Sequence, residues 1–180
     1  KGYYNLCERI REPFLQNHYP GSGEWDVDAI FQFEDGDSDH FDNFLVKRLL
    51  ADLSTRPNYE ALGDVLDLAN AADYYLLMVY AAMWDWPDNN WVMARERSPA
   101  GRWRCYVWDA EGCFGLNGYK PATWNSFTRD LFPANFWMCV QFQRLMTSPE
   151  WRLLFADRIQ RHFFNGGALT DSRLTTRKDG

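Results

Sequence analysis

The sequence predicts an α+β domain in which helices predominate. Three observations carry this. Apolar residues recur at helical spacing through most of the chain, as at Phe41, Phe44, Leu45 and Leu49. Strand-like runs are few and short, and the two clearest, residues 90–95 and 102–108, flank a turn-rich loop with Pro99 and Gly101. No repeat, low-complexity segment or linker divides the 180 residues, which are 46% hydrophobic, so one core is expected.

The elements follow in order. Residues 2–10 read as a short strand carrying Tyr3, Tyr4, Leu6 and Ile10. Pro13 admits a helical turn around Phe14, Leu15 and Gln16, and Pro20, Gly21 and Gly23 mark a loop over 18–23. Residues 28–33 read as a strand. The acidic stretch 34–39 faintly resembles a calcium loop, but it lacks the turn glycine at the sixth position and the closing glutamate. It reads instead as a solvated loop with Asp39 as the N-cap of the next helix. A second helix is expected over 58–69, with Leu62, Val65, Leu66 and Ala69 on one face. A third is expected over 70–83. It is apolar nearly all round and therefore buried, and Pro87 forces a stop near Trp86. Residues 136–146 and 149–164 carry the helical period, and Asn165, Gly166 and Gly167 end the second of them.

Composition narrows the function. The net charge is −6, with 25 acidic against 19 basic residues and no Lys/Arg run, which speaks against a nucleic-acid partner. No apolar run reaches the ~18 residues of a membrane-spanning segment. Cys7, Cys105, Cys113 and Cys139 show no C-x-x-C spacing, so a zinc ribbon is disfavoured, and Cys105 and Cys113 read as buried thiols. His18, His40 and His162 have no partner at metal-ligand spacing. The nine Trp fit a dense aromatic core, an aromatic-lined cleft, or both.

The chemistry gathers in residues 84–115. Asp85 follows the buried helix, Asn90 lies five positions later, and the hairpin returns the chain to Asp109, with Glu111 two positions on. Phosphoryl transfer needs one carboxylate to accept a proton from the attacking hydroxyl, and hard oxygen ligands to hold Mg²⁺ against the phosphates. Asp85, Asn90 and Asp109 supply those groups in the order used by protein kinases. Singly, each has an ordinary alternative: a turn residue for Asp85, a tight turn for Asn89 and Asn90, a cap for Asp109.

The same stretch resembles the CotH kinase family, the kinases typified by spore coat protein H. That family shows an apolar helix, then W-D-x-x-x-N-N, then a hairpin ending in W-x-x-x-x-W-D-x-D-x-x-F-G. Here these read as Tyr74-Tyr75-Leu76-Leu77, residues 84–90 and residues 103–115. The opening Gly2-Tyr3-Tyr4-Asn5-Leu6-Cys7-Glu8-Arg9-Ile10 resembles the family's first motif, G-x-Y-x-L-x-E-x-I. The resemblance implies a protein-kinase-like large lobe with a small β-hairpin at the active site. It implies Asp85 as the catalytic base, and Asp109, Asn90 and Glu111 around Mg²⁺ (or Mn²⁺). It implies Trp103 stacking on the adenine of ATP, with Tyr4 as a second face. Glu8 reads equally as an ion-pair residue or as part of the site.

Two departures stand out. Glu111 occupies a position where the family usually has Asp, which alters its reach. No Gly-rich phosphate loop or phosphate-pairing Lys is visible, so residues 1–180 are expected to be the large-lobe portion of a longer chain. The small lobe would lie before residue 1, and the portion alone would be weakly active or inactive. The substrate implied is a protein Ser or Thr, on a coat or cell-surface protein in an extracytoplasmic setting. Two alternatives remain: an inactive kinase-fold relative serving as a binding, adhesion or structural surface, and a carbohydrate-binding module using Trp84, Trp86 and Trp91 as a platform.

Overall fold

A computed structural model describes residues 8–121, 123–132 and 136–179. Tyr4, Cys7 and most of the expected strand 2–10 lie outside the described residues, and residues 8–10 are not in a strand. The architecture is α+β. Among the described residues there are eight α-helices and one four-stranded antiparallel sheet, whose strands lie in the order 32–35, 25–29, 91–96 and 104–107.

Pro13 opens α1 (Glu12–His18) where a missing N–H costs nothing. The strand expected over 28–33 is a hairpin instead. β1 (Trp25–Ala29) and β2 (Gln32–Asp35) are joined by Ile30 and Phe31, both in the left-handed region at φ 56° and 60°. Two-residue hairpin turns favour that conformation, normally with Asn or Gly. Here tertiary contacts hold it: the Phe31 ring meets Trp91 and Trp137 edge-on at 5.3 and 6.1 Å.

A π-helical stretch (Phe41–Val46) then runs into α2 (Lys47–Leu50). Asp39 is not its N-cap. The Asp39 amide donates to Asp37 within the acidic loop, and His40 stands at the cap position with no capping side-chain bond. The helix expected over 58–69 is broken. α3 (Arg56–Gly63) stops at its glycine, and Asp67 caps α4 (Leu68–Ala81) by accepting from the Asn70 amide at 3.0 Å. Between them Leu66 bridges to Trp103, and the Asp67 amide donates to the Trp103 carbonyl.

β3 (Trp91–Glu96) and β4 (Arg104–Val107) form the predicted hairpin. Short α5 (Ser126–Arg129) precedes α6 (Trp137–Met146) and α7 (Pro149–Phe163), the latter capped by Ser148. α8 (Asp171–Asp179) ends the described chain. The sheet separates two apolar layers. On one face Met93, Trp91, Trp103 and Cys105 pack with α4, α6 and α7. On the other Val27, Val92 and Ala94 pack with Ile10 and Leu15. Cys105 is buried, while Cys113 is only half-buried.

Two acidic side chains of β1 meet opposite fates. Asp26 is clamped by Arg95 at 2.8 Å and Arg97 at 2.6 Å. Asp28 is fully buried and neither oxygen has a hydrogen-bond partner. Burial, reinforced by Asp42, pushes its carboxyl from 3.8 up to about 7, against the opposing pull of the nearby Phe31 and Gln32 amides. A carboxyl whose pKa is raised on folding favours the native state while protonated. Its contribution therefore falls as pH rises from about 4 to about 7. Asp28→Asn should melt higher than the parent at pH 8 and lose that advantage near pH 4, as read by circular dichroism.

Candidate active site

The site is built at the end of α4. The helix stops where Ala82 turns left-handed at φ 49°. The departing chain forms a turn closed by the Asn89 amide donating to the Asp85 carbonyl at 2.8 Å. Asn90, left-handed at φ 58°, redirects it into β3. The hairpin returns, and after β4 Asp109 turns left-handed at φ 53°. Two backbone bonds then fasten the second segment to the first. The Trp84 amide donates to the Gly112 carbonyl, and the Phe114 amide to the Ala81 carbonyl, each at 2.7 Å. A β-carbon on Gly112 would meet Trp84 Cβ at 3.1 Å and Cε3 at 3.2 Å, so glycine permits this approach.

The result is one cleft of about 140 Å³ lined by Trp84, Asp85, Asn90, Asp109, Glu111, Gly112, Leu116 and Tyr119. Asp85, Asn90, Asp109 and Glu111, named from the sequence, all meet there. Asn89 Nδ2 lies 3.2 Å from Asp85 Oδ2 and orients that carboxylate. Asn90 Nδ2 reaches toward the Asp109 carbonyl at 3.5 Å, leaving its amide oxygen available as a ligand. Asp109 and Glu111 stand together at the cleft. The neighbouring Glu111 side chain, with some burial and the charges of Glu111 and Asp85, raises the Asp109 carboxyl, while Glu111 is lowered by its contact with Asp109 and by a backbone hydrogen bond. Carboxylates crowded in this way are what a divalent cation would relieve. Among the described residues no three His, Cys, Asp or Glu cluster tightly enough to cage a metal by themselves.

Trp103 is not at this cleft. It is fully buried, donates from Nε1 to His40 Nδ1 at 3.1 Å and meets Phe41 edge-on, so neither face of the indole is open. Trp108 borders a second cavity instead. That cavity, about 570 Å³, is lined by Glu8, Ile10, Phe14, Val107, Trp108, Asp109, Ala110 and Glu111 and shares the acidic pair with the first. Glu8 lies 3.3 Å from His18, so it carries an ion-pair contact and lines the cavity as well. The Trp platform does not exist as such: Trp84 is exposed, but Trp86 and Trp91 are buried.

A family model described as CotH kinase protein matches residues 1–177. The chain belongs to the CotH kinase family. No curated protein and no solved structure matches it. CotH membership implies atypical kinase activity, and with it ATP and a divalent metal in general terms. Among the described residues no helix is long and apolar enough to cross a membrane.

Asn89 stands in the N-N pair of the family motif, but the motif does not tell of its contact with Asp85. Two further neighbours of the site carry little sequence signal. Tyr119 stacks on Trp84 with centroids 4.2 Å apart and planes 20° apart, forming one wall of the cleft. Lys120 follows it in a left-handed conformation. The stack should contribute about 1 kcal/mol of coupling. A double-mutant cycle of Trp84→Ala and Tyr119→Ala, read by denaturant unfolding, should recover that value; additive losses would mean the rings act independently.

Proposed function

We propose that this CotH-family chain transfers the γ-phosphoryl group of ATP to a Ser or Thr hydroxyl of a protein. The supporting observation is the convergence of Asp85, Asn90, Asp109 and Glu111 on one cleft from two segments joined by a hairpin. We read the helical body with its β3–β4 hairpin as the large lobe of a kinase-like fold.

In this mechanism Asp85 accepts the hydroxyl proton as the new O–P bond forms. The bond from the γ-phosphorus to the β–γ bridging oxygen breaks, and ADP leaves. Asn89 keeps one Asp85 oxygen oriented while the other faces the acceptor. Asp109 and the Asn90 amide oxygen would hold Mg²⁺ (or Mn²⁺), with Glu111 in support. The cation supplies charge neutralisation at the phosphates. The nucleotide ring is assigned to the apolar wall of the larger cavity, formed by Ile10, Phe14, Val107 and Trp108. That assignment leaves its phosphates at the Asp109 end. Trp108 takes the stacking part expected of Trp103, whose faces are closed.

Labelled ATP with Mg²⁺ or Mn²⁺ tests the mechanism in the full-length protein. Asp85→Ala should lower phosphate incorporation by about 10²–10⁴-fold, the range for loss of a general base. Equal incorporation by both forms would sink the assignment of Asp85. No incorporation by either would favour a binding or adhesion role.

A separate measurement addresses the nucleotide wall. Trp108→Ala should raise the KM for ATP about tenfold, the size of one lost base stack, while leaving kcat near the parent value. An unchanged KM would place the ring elsewhere.

A further inference from the structure

The side chain of Lys120 is 10% exposed, yet it carries an ammonium group into the domain. Each of its three donors is used. One goes to the Met83 carbonyl, one to the Trp86 carbonyl at 2.8 Å and one to Asp130 Oδ2 at 3.0 Å. Asp130 is itself buried and accepts from Trp124 Nε1 at 3.2 Å.

Met83 and Trp86 bracket Trp84 and Asp85. Just past the end of α4 their carbonyls have no intrahelical donor. A buried ion pair is a weak source of stability, since apolar residues of similar volume often serve as well. An apolar residue could not gather two carbonyls on either side of the base, however. Tyr119, the preceding residue, contacts the same turn through its stack on Trp84.

We propose that Lys120 is the positioning residue of the Asp85 turn, its ammonium group drawing the Met83 and Trp86 carbonyls together against Asp130. Lys120 does not line the cleft. It acts by fixing where the Asp85 carboxylate stands. The proposal rests on the phosphotransfer reading for its kinetic consequence, but not for its structural one.

The test uses the full-length protein, Lys120→Met, and the double variant Lys120→Met/Asp130→Asn, which leaves no buried unpaired carboxylate. Hydrogen exchange is followed at the Trp84 and Asn89 amides, whose bonds define the turn. Both variants should exchange there at least about tenfold faster, with α7 unchanged, as expected of local opening. In the kinase assay kcat should fall about 100-fold, the scale of an ångström misplacement, while the KM for MgATP stays within about twofold. A folded double variant with parental exchange at both amides overturns the proposal. So does a double variant that cannot fold, because Lys120 would then serve the domain as a whole. A parent protein that incorporates no label would defeat the phosphotransfer reading alone, and the exchange data would still decide the role of Lys120.

Discussion

Everything at the site depends on how α4 ends. The last carbonyls of a helix have no partner within it and must find one outside. Here Ala81 receives the Phe114 amide, and two residues past the left-handed Ala82 the Trp84 amide reaches the Gly112 carbonyl. Those two bonds join the turn carrying Asp85 to the loop carrying Asp109 and Glu111. α4 can serve as the anchor because it is buried and tied on several sides. The Tyr75 hydroxyl sits 2.8 Å from the Met138 carbonyl and 2.7 Å from Gln141 of α6. Asp73 binds Arg158 and His162 of α7.

Charge is distributed by purpose. Most acidic side chains near the core have a cation: Asp26 has Arg95 and Arg97, Asp67 has Arg104, Asp73 has Arg158 and Asp130 has Lys120. Among the described residues lining the acidic cleft there is no Lys or Arg. Lys120, the cation nearest in the chain, turns to main-chain carbonyls and Asp130 instead. Asp85, Asp109 and Glu111 are therefore crowded together without a cation, and Asp109 holds its proton more tightly, first through its contact with Glu111 and then through burial and the charges of Glu111 and Asp85. A folded chain gains no stability from that crowding. Under the proposed phosphotransfer reading, a divalent cation and phosphates would complete the charge balance.

Much of this was legible in residue order. The apolar run of α4, the β3–β4 hairpin and the spacing of Asp85, Asn90 and Asp109 are local patterns, and local patterns survive folding. The misreadings have a common cause in tertiary contacts. Ile30 and Phe31 carry no turn signal, and the hairpin they form is held by Trp91 and Trp137, far along the chain. The break after Gly63 depends on Leu66 and Asp67 pairing with Trp103. Lys120 was illegible because two of its three acceptors are main-chain carbonyls more than thirty residues away, and carbonyls leave no mark in a sequence.

The displacement of Trp103 follows from strand parity. Side chains along β4 alternate between the two faces of the sheet. Trp103 and Cys105 belong to the layer shared with α4, whereas Tyr106 and Trp108 belong to the layer beneath α1. A motif identifies an aromatic six residues before Asp109 but does not say which face is roofed by helices. Here the Trp103 face is roofed by the helix that begins at His40 and Phe41, so its ring is consumed by the core. The opposite face reaches the chain edge at Trp108, beside Asp109, where α1 leaves a cavity open. An aromatic wall next to the proposed metal ligands is thus retained, but it is carried by the residue adjacent to Asp109 rather than by the one at the far end of the strand.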